Sequence, residues 1–405
     1  MKKMIILTCL FICFNVIGAF GQIDSQWRGP NRDGHYPNET LLNKWPVEGP
    51  KLLWSVEGLG QGFSSAAVTS DRVYVTGMIS GSGTLFAFDM NGKLVWKSTY
   101  GPDWDGQHPG ARTTPTVVGN RIYVMSAHGR VVCFDIQGKT VWSVDTIQAF
   151  GGRVIEWGIT ESLLIDGDRL FCTPGGSNVT LAALDRHTGK TLWTAKGNGE
   201  KSGYCSPCLI KHGNRRLILT MTARSVIGFD ADTGEYLWRQ SHVTSYDVNA
   251  NTPLYHDGNI LTVSGYGTGC QMFRLTDDGK GISKVWAEKT LDSQMGSVIL
   301  LDGYIYGSGH NKRRWHCLDW KTGKIQFSER AIGNKGNIIY SDGMLYCYSE
   351  RGDVAIVKPN PEKFEVVSSF KIEKGSGTHW AHLVIKNGRL YIRHGDVLMV
   401  YHVSR

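Results

Sequence analysis

The amino-acid sequence predicts an all-β protein: an eight-bladed β-propeller of four-stranded antiparallel blades, with an N-terminal strand completing the last blade. Three observations carry this expectation. A turn motif is written five times, as "AFDMNGKLVW" (87–96), "CFDIQGKTVW" (133–142), "ALDRHTGKTLW" (183–193), "GFDADTGEYLW" (228–238) and "CLDWKTGKIQF" (317–327). Eight apolar strands recur at a blade-length interval, beginning "RVYV" (72), "RIYV" (121), "RLFC" (169), "RLIL" (216), "NILT" (259), "YIYG" (304), "MLYC" (344) and "RLYI" (389). Glycine is the third: 50 of 405 residues exceeds the ordinary share of about 7%, as a meander with many tight turns requires.

Each repeat reads as four short strands of period-two patterning joined by turns. Such a sheet is apolar on both faces, so copies of itself must cover it on both sides, and a closed ring achieves that. The ring must also be locked. The last copy, "RLYIRHGDVLMVYHVSR", supplies only its first three strands, while "KLLWSVEG" (51–58) stands alone near the N-terminus with Trp54 at the motif's aromatic position. We therefore expect residues 51–405 to form one propeller domain, with its N-terminal strand added to blade eight.

The recurring turn has a structural explanation. Asp at the strand end accepts hydrogen bonds from the turn backbone, Gly supplies positive φ, and the Trp that follows covers the gap between blades. Trp96, Trp142, Trp193, Trp238 and Trp286 are accordingly given no chemistry. Copies five ("FRLTDDGKGISKVW") and seven ("IVKPNPEKFEVV") have lost parts of the motif.

Residues 1–21 place Lys2 and Lys3 before an apolar run that ends in small residues, the layout of a cleavable export signal cut near Gly21. A lipid-attachment site is disfavoured by the residues before Cys9 and Cys13. A periplasmic or secreted location is expected, with residues 22–50 as a polar, Pro- and Gly-bearing lead-in. Loss of Lys2 and Lys3 takes the net charge from +8 to +6, a mildly basic surface and not a nucleic-acid footprint. The run "HNKRRWH" (310–316) reads as a solvated loop.

Of nine cysteines, two lie in the signal, and the remaining seven cannot all pair. Cys133, Cys172, Cys317 and Cys347 occupy positions where sibling repeats carry core residues. Cys205 and Cys208 form a lone CxxC, open to three readings: strand residues, a local disulfide or part of a zinc site.

The Asp, turn Gly and closing Trp in successive copies resemble the tryptophan-docking repeat of the PQQ-like (quinoprotein alcohol dehydrogenase-like) eight-bladed propellers, from Lys51 to Arg405. The opening "QWRGPNRDG" (26–34) is similar to the lead-in of compact exported bacterial members of that superfamily.

In a four-stranded blade, the blade-to-blade loops and the loops joining the second and third strands share one face around the channel, and function gathers there. The former bring Arg112, Glu161, Asn251, Lys335, His379 and His382 to the mouth, with Trp104, Trp157, Asn249 and Trp380 beside them. The latter add His128, Arg224, His310, Arg351 and His394. This cationic, aromatic rim suits a sugar, polyol or anionic saccharide, whose rings stack on Trp while Arg and Lys take anionic groups. Each polar residue could equally satisfy the backbone of its own loop.

The resemblance further implies PQQ held with Ca²⁺ by a carboxylate and an amide oxygen, and an Asp as catalytic base. Glu161 or Glu156 and Asn249 or Asn251 would supply the calcium ligands, Asp292 or Asp247 the base, and Arg112 or Lys335 the contacts to the quinone's carboxylates. In this assignment Glu161 and Asn249 form the metal site, and Asp292 and Glu161 are the catalytic pair. Two departures weigh against it. No Cys-Cys dipeptide is present, and about 45 residues per blade, close to the propeller minimum, leaves no room for a cofactor chamber. The compact repeats are more like those of the exported propeller lipoprotein that assists outer-membrane barrel assembly. Three readings follow: a small-molecule site at the channel mouth, with oxidoreductase chemistry conceivable; a scaffold for protein partners; and a true quinone dehydrogenase. Fold alone does not choose among them.

Overall fold

The computed structural model describes residues 23–405. The export-signal expectation for residues 1–21 falls outside the described residues. Eight antiparallel sheets close a ring. Blades one to seven span residues 67–102, 116–145, 164–195, 208–241, 254–288, 298–329 and 336–371, and each runs in sequence from its innermost to its outermost strand. Blade eight takes three strands from residues 384–402 and its outer strand from Leu52–Val56, which pairs antiparallel with Val397–His402 in the register Leu52↔Tyr401 and Val56↔Leu398. The ring is thus closed by hydrogen bonds between distant parts of the chain, as expected from the orphan strand. No helix among the described residues is long and apolar enough to cross a membrane.

The repeated turn works as a docking device. In the first copy Asp89 Oδ1 accepts from the amides of Asn91 and Lys93, both at 2.9 Å. Gly92, at φ 85°, leaves its face bare, and the indole of Trp54 from blade eight lies against it: a Cβ there would sit 2.7 Å from the ring. Trp54 Nε1 donates to Met90 O at 3.0 Å. The same step recurs around the ring, with Trp96 on Gly138, Trp142 on Gly189, Trp193 on Gly234 and Trp286 on Gly323. Blade five keeps the docking although its motif is altered, since Trp238 Nε1 donates to Gly279 O at 3.2 Å. Blade seven replaces it with Phe364, stacked 5.1 Å from Trp315. Cys133, Cys172, Cys317 and Cys347 are fully buried in the apolar layers between blades, and Cys205 and Cys208 are buried free thiols.

The lead-in is packed into the ring. Ile23–Ser25 adds a fifth strand inside blade two by pairing with Thr116–Val118, and the segment then crosses the channel. Innermost strands of a propeller splay apart and leave carbonyls facing the axis, where each needs a donor. Two buried arginines supply donors. Arg28 donates to Val298 O (3.2 Å) and Ile338 O (3.1 Å), and Arg32 to Ser162 O (2.5 Å) and Leu163 O (3.0 Å). Tyr36 Oη donates to Leu383 O at 3.3 Å, and the amide of Val68 donates to Ser25 Oγ at 2.9 Å. Residues 23–36 therefore tie together the inner ends of blades one, two, three, six, seven and eight. Burial holds both guanidinium pKa values down at about 10, still protonated at neutral pH.

Candidate functional site

Above the lead-in the channel widens into a cavity of about 340 Å³. Its floor is the Trp27 indole, edge-on to the His382 ring at 5.5 Å and lying against the guanidinium groups of Arg28 and Arg32. The wall is aromatic nearly all round, with Phe63, Trp157, Tyr204, Tyr266 and Trp380 contributed by five different parts of the ring. Trp157 and Tyr204 tilt against one another at 6.0 Å, and Trp380 against Phe63 at 5.0 Å. Charged groups interrupt this wall at two places.

At the first, Arg112 lies 5.8 Å over the Phe63 ring and donates from Nη2 to His108 O at 2.5 Å. That is its only hydrogen bond among the described residues, and it has no ion-pair partner. Burial lowers its pKa to about 10, with Asp103 opposing the shift. Asp103 is itself occupied, accepting from Tyr100 Oη (2.6 Å) and from the amides of Trp104 (2.9 Å) and Ala127 (3.1 Å).

At the second, Lys335 Nζ lies 3.2 Å from Glu350 Oε1 and also donates to Gln294, while Trp380 Nε1 donates to the same Glu350 oxygen at 2.9 Å. Burial lowers the Lys335 pKa, and Glu350 opposes the shift. Beside this pair His310 Nδ1 accepts from the Tyr266 amide at 3.1 Å, which fixes its proton on Nε2. On the floor, Arg28 can only donate to His382 Nδ1 (3.1 Å), so the ring carries its proton on Nε2, toward Met295 O at 2.9 Å. Burial pushes His310 down to about 4 and His382 to about 3, and both rings are neutral at physiological pH.

Six of the residues singled out from the sequence line this cavity: Arg112, Trp157, His310, Lys335, Trp380 and His382. The others lie outside the lining. Asn249 donates to three carbonyls (Thr222, Ala223 and His242) and accepts from Ser264, and Asn251 bridges Val263 O, Ser293 O and Ser297. Asp292 accepts from the amides of Gly267 and Asn311. His379 and His394 stack at 3.6 Å behind the wall, with His394 facing Lys374 O and Gly377 O. Trp104 donates to Gln107 O, His128 faces Asp103 O, and Arg224 pairs with Asp247 at 3.5 Å. Glu161, between the lining residues Thr160 and Ser162, points away from the cavity and accepts from the Thr173 amide at 3.0 Å. Its other oxygen is buried without a partner among the described residues, and burial raises its pKa to about 7.

These placements do not fit a quinone and calcium centre. The Asn249 amide nitrogen donates to three carbonyls and its oxygen accepts from the Ser264 hydroxyl, Glu161 and Asp292 are outside the cavity lining and bonded to loop amides, and no group of three or more His, Cys, Asp or Glu side chains among the described residues could hold a metal ion.

The sequence reading had not singled out Trp27, Phe63, Tyr204, Tyr266, Gln294 or Glu350. Tyr266 sits in the inner loop of blade five, which carries no histidine or charged residue, and Glu350 precedes Arg351, the residue singled out in its loop. Trp27 falls in the lead-in, whose path over the channel no periodicity reveals.

Fold and site together define an eight-bladed PQQ-like propeller with an aromatic cup at one end of a plugged channel. The family model described as outer membrane protein assembly factor BamB matches residues 47–148 and 82–329, well over half of the chain, and the chain belongs to that family. Over 210 residues it is 25% identical to the outer membrane protein assembly factor BamB of Kangiella koreensis, covering 50% of this chain and 49% of that one. Over 184 residues it is 26% identical to a quinoprotein ethanol dehydrogenase of Pseudomonas aeruginosa, covering 42% of this chain and 28% of that one. The chain thus spans about half the length of the first relative and little over a quarter of the second. The crystal structure of BamB from Moraxella catarrhalis superposes with a TM-score of 0.61 at 17% identity, covering 87% of this chain and 99% of that one. A quinohemoprotein alcohol dehydrogenase from Comamonas testosteroni gives 0.63 at 12% identity, covering 93% and 79%. These structural likenesses concern the fold.

Proposed function

We propose that this is an exported ligand-binding propeller whose channel mouth captures a small sugar-like molecule: a sugar, a polyol or an anionic saccharide. The observation that carries the reading is the cup itself. Its volume of about 340 Å³ falls in the range of about 300–1,000 Å³ usual for small-molecule sites, Trp27 lines its floor, and its rings are interrupted by charged and hydrogen-bonding groups. Aromatic faces take the apolar face of a pyranose, and the groups between them meet its hydroxyls. The activity supported is binding. The cup's charged groups are the Lys335–Glu350 pair and Arg112, and of its hydroxyls Thr160, Ser162 and Ser206 are bonded to backbone groups and none to a histidine, so the nucleophile-and-base arrangement that covalent chemistry requires is not formed among the described residues.

Titration calorimetry with glucose, glucitol and glucuronate tests this. Binding of at least one of them, lost in Trp157→Ala and Trp380→Ala variants that keep the wild-type melting temperature, is expected. No heat with any of the three would overturn the reading.

A scaffold role is the second reading, and one observation favours it. The outer strands expose a row of apolar side chains, with Leu94, Val95, Val141, Leu192 and Val285 each 41–52% exposed, on sheet edges of the kind that accept a further strand. The family's assembly-factor description agrees with protein partners. The two roles use different surfaces and are compatible. Export is consistent with the company of an outer membrane assembly factor and is tested by N-terminal sequencing of the secreted product.

A further inference from the structure

Resting on the binding reading above, we propose that the cup selects a ligand bearing one carboxylate, a monoanionic sugar acid such as a hexuronate, and that Arg112 is its receptor. Two fixed cations and one carboxylate line the cavity, Arg112, Lys335 and Glu350, beside the rings of His108, His310 and His382. Lys335 is already neutralised, its Nζ lying 3.2 Å from Glu350 Oε1, and Trp380 Nε1 holds that oxygen in place at 2.9 Å. The His310 and His382 rings are neutral, each with one nitrogen accepting from a neighbour that can only donate. Among the described residues, Arg112 is left as the fixed charge of the lining without an ion-pair partner. The carboxylate that most affects it, Asp103, is buried under three donors and comes no nearer than the ion-pair limit.

An unpaired guanidinium against aromatic walls is poorly solvated and gains most from a carboxylate, whose two oxygens match its fork. A second anionic group on the ligand would meet either rings or a lysine that Glu350 already satisfies, and its lost hydration would go uncompensated. Several uncharged polar groups of the lining gather around Lys335. Glu350, Gln294 and the His310 Nε2–H are hydroxyl partners there, and Trp380, whose ring tilts against Phe63 and His108 and whose Nε1 donates to Glu350, separates them from Arg112.

Calorimetry with D-glucuronate, D-glucose and the dicarboxylate D-glucarate separates this claim from the broader one. Glucuronate should bind at least tenfold more tightly than either competitor. Arg112→Gln should weaken glucuronate by roughly 10- to 100-fold, the loss of one charge-assisted pair, while leaving glucose unchanged. Glu350→Gln keeps an oxygen for Trp380 but releases the Lys335 charge, and should improve glucarate by tenfold or more. This gain cannot come from misfolding. Equal affinities for glucose and glucuronate would overturn the inference and leave the sugar-binding cup standing. Glucarate binding the wild type as well as glucuronate does would overturn the single-charge claim. Silence from all three ligands would remove both.

Discussion

Arg28 Nη1 lies 3.1 Å from His382 Nδ1, so the segment that precedes the first blade is bonded to the loop that opens the last. The same guanidinium reaches carbonyls of blades six and seven, which makes it a tie across the channel axis as well as support for the cup's floor. Arg28→Met keeps the aliphatic stem and removes every donor. Two inner-strand carbonyls and the His382 nitrogen then stay buried without partners, at about 1–3 kcal/mol for each unsatisfied group. We expect a loss of at least about 3 kcal/mol in urea unfolding, together with weaker binding of any ligand that rests on Trp27. A variant within about 1 kcal/mol of wild type would mean that water enters and the lead-in is an ornament on the ring.

Seam closure gives a second prediction, with its own control. Gly92 and Gly58 both have positive φ, 85° and 79°, so alanine at either incurs the same backbone strain of about 1–2 kcal/mol. Only Gly92 is covered: a Cβ there would meet the Trp54 ring at 2.7 Å, whereas at Gly58 nothing lies within 4 Å. Gly92→Ala should therefore lower the melting temperature by clearly more than Gly58→Ala. The excess measures how tightly blade eight grips blade one, and equal losses would show a seam that does not depend on the docked indole.

Much of this architecture was legible because a repeat announces itself. Asp89, Gly92 and Trp96 carry the same signals as their counterparts four times further along, and the orphan Trp54 has the partner its position implied. The cup was half legible. Arg112, Lys335 and His310 could be placed at the mouth by counting strands, and they line it. Counting could not say which way Glu161 turns: it lies in the loop before blade three, between Thr160 and Ser162, which line the cavity, while its carboxylate turns back to the Thr173 amide. Nor could it separate Asn249 and Asn251, spent on loop carbonyls, from groups free to meet a ligand. The lead-in was the least legible part. Its contacts come from individual arginines reaching carbonyls across the axis, and such contacts have no period.

Acid should destabilise the protein through histidines that fold in neutral form. Burial lowers His382 from an ordinary 6.5 to about 3 and His242 to about 4. Below pH 6.5 the unfolded chain binds protons that these rings refuse, so stability falls as pH falls. Each ring contributes up to about 1.4 kcal/mol per pH unit until its folded value is reached. His242 lies outside the cup, with its Nδ1 at 3.1 Å from Thr262 Oγ1. His242→Asn keeps a polar group toward Thr262 and should flatten the fall in melting temperature between pH 6.5 and 4.5. Parallel curves for variant and wild type would assign the acid limb to other groups.

Glu161 should act with the opposite sign. Burial raises its carboxyl from 4.5 to about 7, so between these values the folded protein holds a proton that the unfolded chain has released, and stability falls as pH rises through the window. Above pH 7 the penalty is complete, on the order of 3 kcal/mol, and below pH 4.5 it is absent. Glu161→Gln cannot ionise, and its Oε1 can still accept from the Thr173 amide that now holds the carboxylate at 3.0 Å. Relative to wild type, the variant should therefore gain about 3 kcal/mol between pH 4.5 and pH 8. That difference isolates the ionisation from any packing change, since packing is common to both conditions. Urea titrations at the two pH values measure it, and a stability offset that does not change with pH would mean that Glu161 is ionised throughout, with Arg32 compensating it.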